Sequence, residues 1–125
     1  MTYRVTCHCG SIELAVADLD LSEVRRCDCS LCRRKGAAMV SAMVGDVRVV
    51  KGGDLLGLYQ FNTQTAKHYF CSRCGIYTHH QRRSNPAEMG INVGCIDGLP
   101  ERFAQGAQWM DGVNHPSDRA AQSRE

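Results

Sequence analysis

Short alternating runs dominate the chain. In "SIELAVADL" the apolar Ile12, Leu14 and Val16 alternate with Glu13, Ala15 and Ala17. That is the period-two pattern of a strand with one buried face. "AAMVSAMV", "DVRVV", "DLLGLYQF", "AKHYFC", "GIYTHHQ" and "MGINVGCI" are further β-rich runs, and the last carries Cys95 into a predicted strand. Gly45-Asp46, Gly52-Gly53-Asp54, Asn85-Pro86 and Asp97-Gly98 punctuate them as turns. Helical spacing is confined to one turn over "LCRR", with Ser30 as its predicted N-cap. The pattern predicts a mainly β domain of roughly eight to ten short strands. Residues 1–114 are read as a single domain. From His115 on, apolar spacing stops, so residues 115–125 are expected to form a flexible tail.

Composition adds a difficulty that the cysteines resolve. Three Phe, one Trp and four Tyr against twelve Gly make an aromatic-poor core that needs staples. Eight cysteines are available, but C-x-C pairs are too close for good disulfides. C-x-C and C-x-x-C pairs suit a metal ion held by neighbouring thiolates. The N-terminal "MTYRVTCHCG" has no apolar core of signal-peptide type, and no apolar run reaches the ~18 residues of a membrane helix. A reducing cytoplasm and no membrane partner are the expectation.

The cysteines change the charge as well. The formal net charge is +2 with thiols neutral. Seven thiolates and two divalent ions would subtract seven and add four, leaving about −1, without the strong positive field that non-specific nucleic-acid binding needs. No nucleic-acid partner is expected.

Three clusters organise the cysteines. "CHCG" (Cys7, Cys9) and "CSRCG" (Cys71, Cys74) both end in Cys-Gly. A zinc knuckle needs a tight turn whose N–H groups point at sulfur, and glycine adopts the required positive φ. Two such knuckles facing each other would complete a closed, structural four-cysteine site. A redox couple of Cys71 and Cys74 is the competing reading, without the βαβ context of such motifs. "CDCSLC" offers Cys27, Cys29 and Cys32 and no terminal glycine. Three protein ligands and one open position are the pattern of a catalytic zinc site. Cys95 lies outside the clusters and is either a distant fourth ligand of that second site or a small buried apolar residue. Spacing alone leaves a swapped partition of the ligands open.

The cationic run Arg33, Arg34 and Lys35 follows the second cluster. Arg33, next to Cys32, is the candidate to neutralise thiolate charge or to hold a substrate carboxylate. His8, His68, His79 and His80 are read as surface or packing residues; on one strand His79 and His80 would face opposite sides. The methionines and Trp109 are read as core or core-edge residues.

The order C-x-C-G, C-x-C-S-x-C-R and F-C-x-x-C-G resembles the glutathione-dependent formaldehyde-activating enzyme family, which includes the centromere protein V relatives. The resemblance rests on "CHCGSIEL", "CDCSLCRR", "YFCSRCG" and, more loosely, "INVGCIDG". It implies a β-tent of coiled antiparallel sheets, as in the Rab exchange-factor chaperones and methionine sulfoxide reductase type B. It implies Cys7, Cys9, Cys71 and Cys74 on a structural zinc and Cys27, Cys29 and Cys32 on a catalytic-type zinc, two Zn2+ per chain. The implied activity is that of a carbon–sulfur lyase joining a thiol, glutathione or similar, to a small aldehyde such as formaldehyde. A non-catalytic zinc-binding interaction module and a thiol or zinc sensor of the same fold are the alternatives.

Overall fold

The computed structural model describes residues 1–99, 108–111 and 113. The expected tail at 115–125 and the end of the predicted domain lie outside these residues. Ten strands are present among the described residues: β1 (Thr2–Thr6), β2 (Glu13–Ala17), β3 (Asp20–Cys27), β4 (Met39–Met43), β5 (Val47–Lys51), β6 (Leu56–Tyr59), β7 (Lys67–Cys71), β8 (Tyr77–Gln81), β9 (Glu88–Asn92) and β10 (Gln108–Met110). The one α-helix among the described residues, α1 (Ser30–Lys35), follows β3. The protein is mainly β, as the alternation predicts. No helix among the described residues is long and apolar enough to cross a membrane.

The strands form two sheets, ordered β1-β2-β5 and β10-β3-β4-β9-β8-β7-β6. Every named pair is antiparallel except β10 with β3. In β2 the alternation works as written: Leu14 and Val16 are fully buried, and so is Ile12 just ahead of the strand. They meet Val5 of β1 and the cross-strand partners Val40 and Ile91 of β4 and β9 in one core cluster. Burying each such side chain contributes about 1.5–3 kcal/mol. Cys7, Cys71 and Cys95 belong to the same cluster, so the metal-binding candidates grow directly out of the core.

Two local expectations shift. Cys95 is not in a strand: β9 ends at Asn92, and Val93–Cys95 form a 3-10 turn. The Asn92 side chain caps that turn by accepting from the Gly94 N–H, which ends the ladder there. The N-cap of α1 is Cys29, not Ser30, because the Cys29 sulfur accepts from the Cys32 N–H at 3.3 Å.

Candidate metal centres and the adjoining cavity

The first group of sulfurs joins the two sheets. Cys7 and Cys9 sit in the turn between β1 and β2, while Cys71 ends β7 and Cys74 sits in the turn that leads to β8. Gly10 and Gly75, the residues after each second cysteine, both have φ of +81°. That conformation closes each turn around its sulfur, and side chains other than glycine resist it. Backbone N–H groups then point inward: Ile12 N–H donates to Cys7 Sγ at 3.3 Å and Arg73 N–H to Cys71 Sγ at 3.4 Å.

All four sulfurs lie within 4.8 Å of one another. Cys9 Sγ is 3.7 Å from both Cys7 Sγ and Cys71 Sγ. A tetrahedron with zinc–sulfur bonds of 2.3 Å has edges of about 3.8 Å, so the donor set fits one zinc ion. The Ser11 side chain and then its backbone N–H hold the Cys9 thiol down at about 6. Burial pushes the Cys71 thiol up.

The second group sits where β3 runs into α1. Cys27, Cys29 and Cys32 have their sulfurs mutually within 4.8 Å. Without a cation the three thiols cannot all ionise. Hydrogen bonds with Cys27 and Cys32 drive the Cys29 thiol far down; the contact with Cys29 drives Cys27 up, and the contacts with Cys27 and then Cys29 drive Cys32 up. A divalent cation removes that conflict by balancing three thiolates at once, so this donor set also fits a metal ion.

Cys95 is not brought to this group. Its sulfur lies 3.5 Å from both Asn92 Nδ2 and the Tyr77 carbonyl oxygen. Burial first, then the charge of Cys7 and Cys74, pushes its thiol up to about 12. The fourth-ligand expectation for Cys95 therefore has no geometric counterpart; the residue is a buried, neutral thiol behind the first site.

The cationic run divides by residue. Arg33 is exposed and lines no part of the cavity beside the second group. Arg34 folds back on the Ser30 carbonyl oxygen at 2.7 Å. Lys35 is the one that turns inward: its Nζ lies 3.1 Å from His68 Nδ1 and 3.6 Å above the Tyr77 ring centre. Burial pushes the Lys35 ammonium down, while the three cysteines of the second group hold it up.

Cys27, Cys29 and Cys32 form one wall of a cavity of about 160 Å3. His68, His80 and the apolar Met39 and Phe61 line it as well, with Arg25, Arg82 and Arg83 adding positive charge. The Arg82 Nη2 donates to Ser41 Oγ at 2.9 Å, but its buried Nε has no hydrogen-bond partner among the described residues.

His79 takes a different position. It stacks on Tyr69 at 4.7 Å, its Nδ1 lies 2.8 Å from Thr78 Oγ1, and burial holds its ring at about 4. The unfolded chain takes up this proton near 6.5, earlier than the folded chain, so stability is complete above pH 6.5 and falls as the pH drops towards about 4. In zinc-saturated protein the urea midpoint should fall between pH 7 and 5, with His79 contributing up to about 1.4 kcal/mol per pH unit. His79→Gln should flatten that slope; an unchanged slope would remove His79 from the account.

The sequence profile described as glutathione-dependent formaldehyde-activating enzyme matches residues 2–111. A Halomonas elongata protein named "Putative glutathione-dependent formaldehyde-activating enzyme" is 32% identical over 82 residues, which is 59% of this chain. The chain spans 52% of that relative's length. The crystal structure of a Rhodobacter sphaeroides protein is similar with a TM-score of 0.82 and 52% identity, covering 86% of this chain and 99% of that one. The two cysteine-bearing turns, the three-sulfur group and the profile match across residues 2–111 agree, and the chain belongs to the glutathione-dependent formaldehyde-activating enzyme family.

Proposed function

We propose that this chain is a zinc enzyme joining a thiol, glutathione or a relative, to a small aldehyde such as formaldehyde. The reaction is of the carbon–sulfur lyase class, run in the direction of bond formation. Cys7, Cys9, Cys71 and Cys74 would hold a structural zinc, and Cys27, Cys29 and Cys32 a second zinc at the reaction site. One observation carries the reading: the three-sulfur group forms the wall of a cavity, and the remaining cysteine, Cys95, is engaged elsewhere. Zinc bound there would supply Lewis acidity that lowers the pKa of an incoming thiol.

The chain's own residues supply the rest. Met39 and Phe61 give the cavity an apolar part of its lining. The half-buried Arg82, whose Nε makes no hydrogen bond and lies 4.0 Å from Glu88 Oε1, is suited to a substrate carboxylate, and Arg25, beside its partner Glu23, lines the same cavity. The cytoplasm, where such thiols are kept reduced, is the expected setting.

Two-dimensional NMR exchange on glutathione and formaldehyde tests the activity. Zinc-loaded protein should speed adduct formation well above the buffer rate. No acceleration with both sites filled would leave a zinc-binding interaction module as the better description. Arg82→Gln should raise KM for glutathione about tenfold or more, the loss of one charge-assisted bond, with kcat little changed. With cysteamine, which has no carboxylate, the same variant should behave as wild type. Equal effects on both thiols would remove carboxylate recognition from Arg82.

A further inference from the structure

We propose that His68 and His80 form a pair of N–H donors that hold the aldehyde oxygen as it becomes an alkoxide. The inference rests on the reaction proposed above. It begins with register. His68 of β7 and His80 of β8 are direct cross-strand partners, and their rings stack at 5.2 Å and 19°. Both line the cavity that the three sulfurs also line. Neither joins the group whose donor atoms all lie within 4.8 Å of one another, so they flank the metal-binding candidates rather than complete them.

The hydrogen bonds behind the rings set their tautomers. His68 Nδ1 faces Lys35 Nζ, and an ammonium can only donate. His80 Nδ1 faces the Tyr77 hydroxyl at 2.5 Å. That hydroxyl has no other hydrogen-bond partner among the described residues, so its proton goes to His80. Both Nδ1 atoms therefore accept, and in a neutral imidazole the proton then sits on Nε2. Burial keeps the rings neutral, holding His68 at about 4 and His80 well below its ordinary value.

The front of each ring is open. Among buried side-chain nitrogens and oxygens of the described residues only Arg82 Nε lacks a hydrogen bond. The two Nε2 atoms have no hydrogen-bond partner among the described residues and are not sealed, and both histidines line the cavity. Gly90 of β9 fixes the depth of the His80 ring: a Cβ there would fall 2.4 Å from His80 Cε1. The result is two stacked imidazoles lining the same cavity as the three sulfurs, with the Lys35 charge strengthening the His68 donor.

The chemistry balances without an added reagent. The thiol sulfur forms a bond to the carbonyl carbon, and the carbon–oxygen π pair moves onto oxygen. That oxygen accepts from both Nε2–H groups. The proton lost by the thiol ends on the oxygen, and the thiohemiacetal leaves. Donors placed where charge develops strengthen in the transition state more than in the ground state.

Imidazole 15N NMR on the zinc-loaded protein tests the arrangement without turnover. Both rings should carry the proton on Nε2, and Tyr77→Phe should turn His80 alone into a tautomer mixture. An Nδ1–H ring at either position in wild type would overturn the proposal. In the glutathione–formaldehyde assay, His68→Phe and His80→Phe should each lower kcat by about 100-fold at unchanged zinc content. His80→Gln, which returns an N–H near the Nε2 position, should recover about tenfold of that loss. Phe variants within about threefold of wild type, or a Gln variant no better than Phe, would equally overturn it. A wild-type protein that accelerates nothing would sink the proposed reaction instead, and the tautomers would then decide the donor pair alone.

Discussion

Cys71→Ser should leave the chain without a cooperative fold. Cys71 is fully buried, in the core cluster with Cys7 and Cys95, and its sulfur packs 3.7 Å from Cys9 Sγ. A serine hydroxyl stays protonated at neutral pH and is a poor zinc ligand. A structural zinc of this kind is worth about 10–16 kcal/mol of apparent folding free energy. The net stability of a small domain is about 5–15 kcal/mol, so losing the site exceeds what the rest of the chain can offset. Circular dichroism and urea titration with a zinc assay check this. Cys95→Ala, which removes a buried thiol that is not in either group, should cost only about 1–3 kcal/mol and keep two zinc ions. A Cys71→Ser protein that unfolds cooperatively at the wild-type midpoint would refute the structural role of the first site.

The second large effect concerns function alone. Cys29→Ser should lower zinc content from two ions to one per chain and abolish acceleration of adduct formation while the fold persists. The fold persists for a local reason. Cys29 is the N-cap of α1, and serine is itself a good N-cap, so the Cys32 N–H keeps an acceptor. What is lost is the most acidic of the three thiols, the one its neighbours already stabilise as a thiolate. A two-ligand remnant of Cys27 and Cys32 should release its metal to chelator far faster than the first site. Two zinc ions retained, with adduct formation unchanged, would remove the three-sulfur site from the mechanism.

The strands with one buried face were legible because alternation records burial. β2 is the clearest case, with Leu14 and Val16 inward. β3 was not, because "DLSEVRRC" has no fully buried position and therefore no pattern to read. The pairing of the two glycine-terminated turns was legible from the turns themselves, since both need the same positive φ. The histidine pair was not. Tyr77 pairs with Phe70, and a continuous ladder from there would set His79 opposite His68. A register shift between Tyr69 and Phe70 moves the partner by one residue and puts His80 there instead. Nothing in "HYFC" or "YTHHQ" announces that bulge. Lys35 shows a similar limit. Proximity to Cys32 favoured Arg33, but the direction of a side chain on a six-residue helix is set by what packs against it.

The two cysteine-bearing turns also bear on how the chain finds its fold. Each turn is local, and hairpins of this size form within about 1–10 μs. Joining them brings together sulfurs 62 residues apart, as Cys9 and Cys71 are. The four ligands therefore arrive as two preformed pairs, and only one long loop has to close. An ion held there would act as a crosslink that a reducing environment leaves intact, and it could be in place before the intervening strands have sorted out their neighbours. Refolding should then depend on free zinc in its rate as well as its end point, with the slow step lying in the encounter of two half-sites.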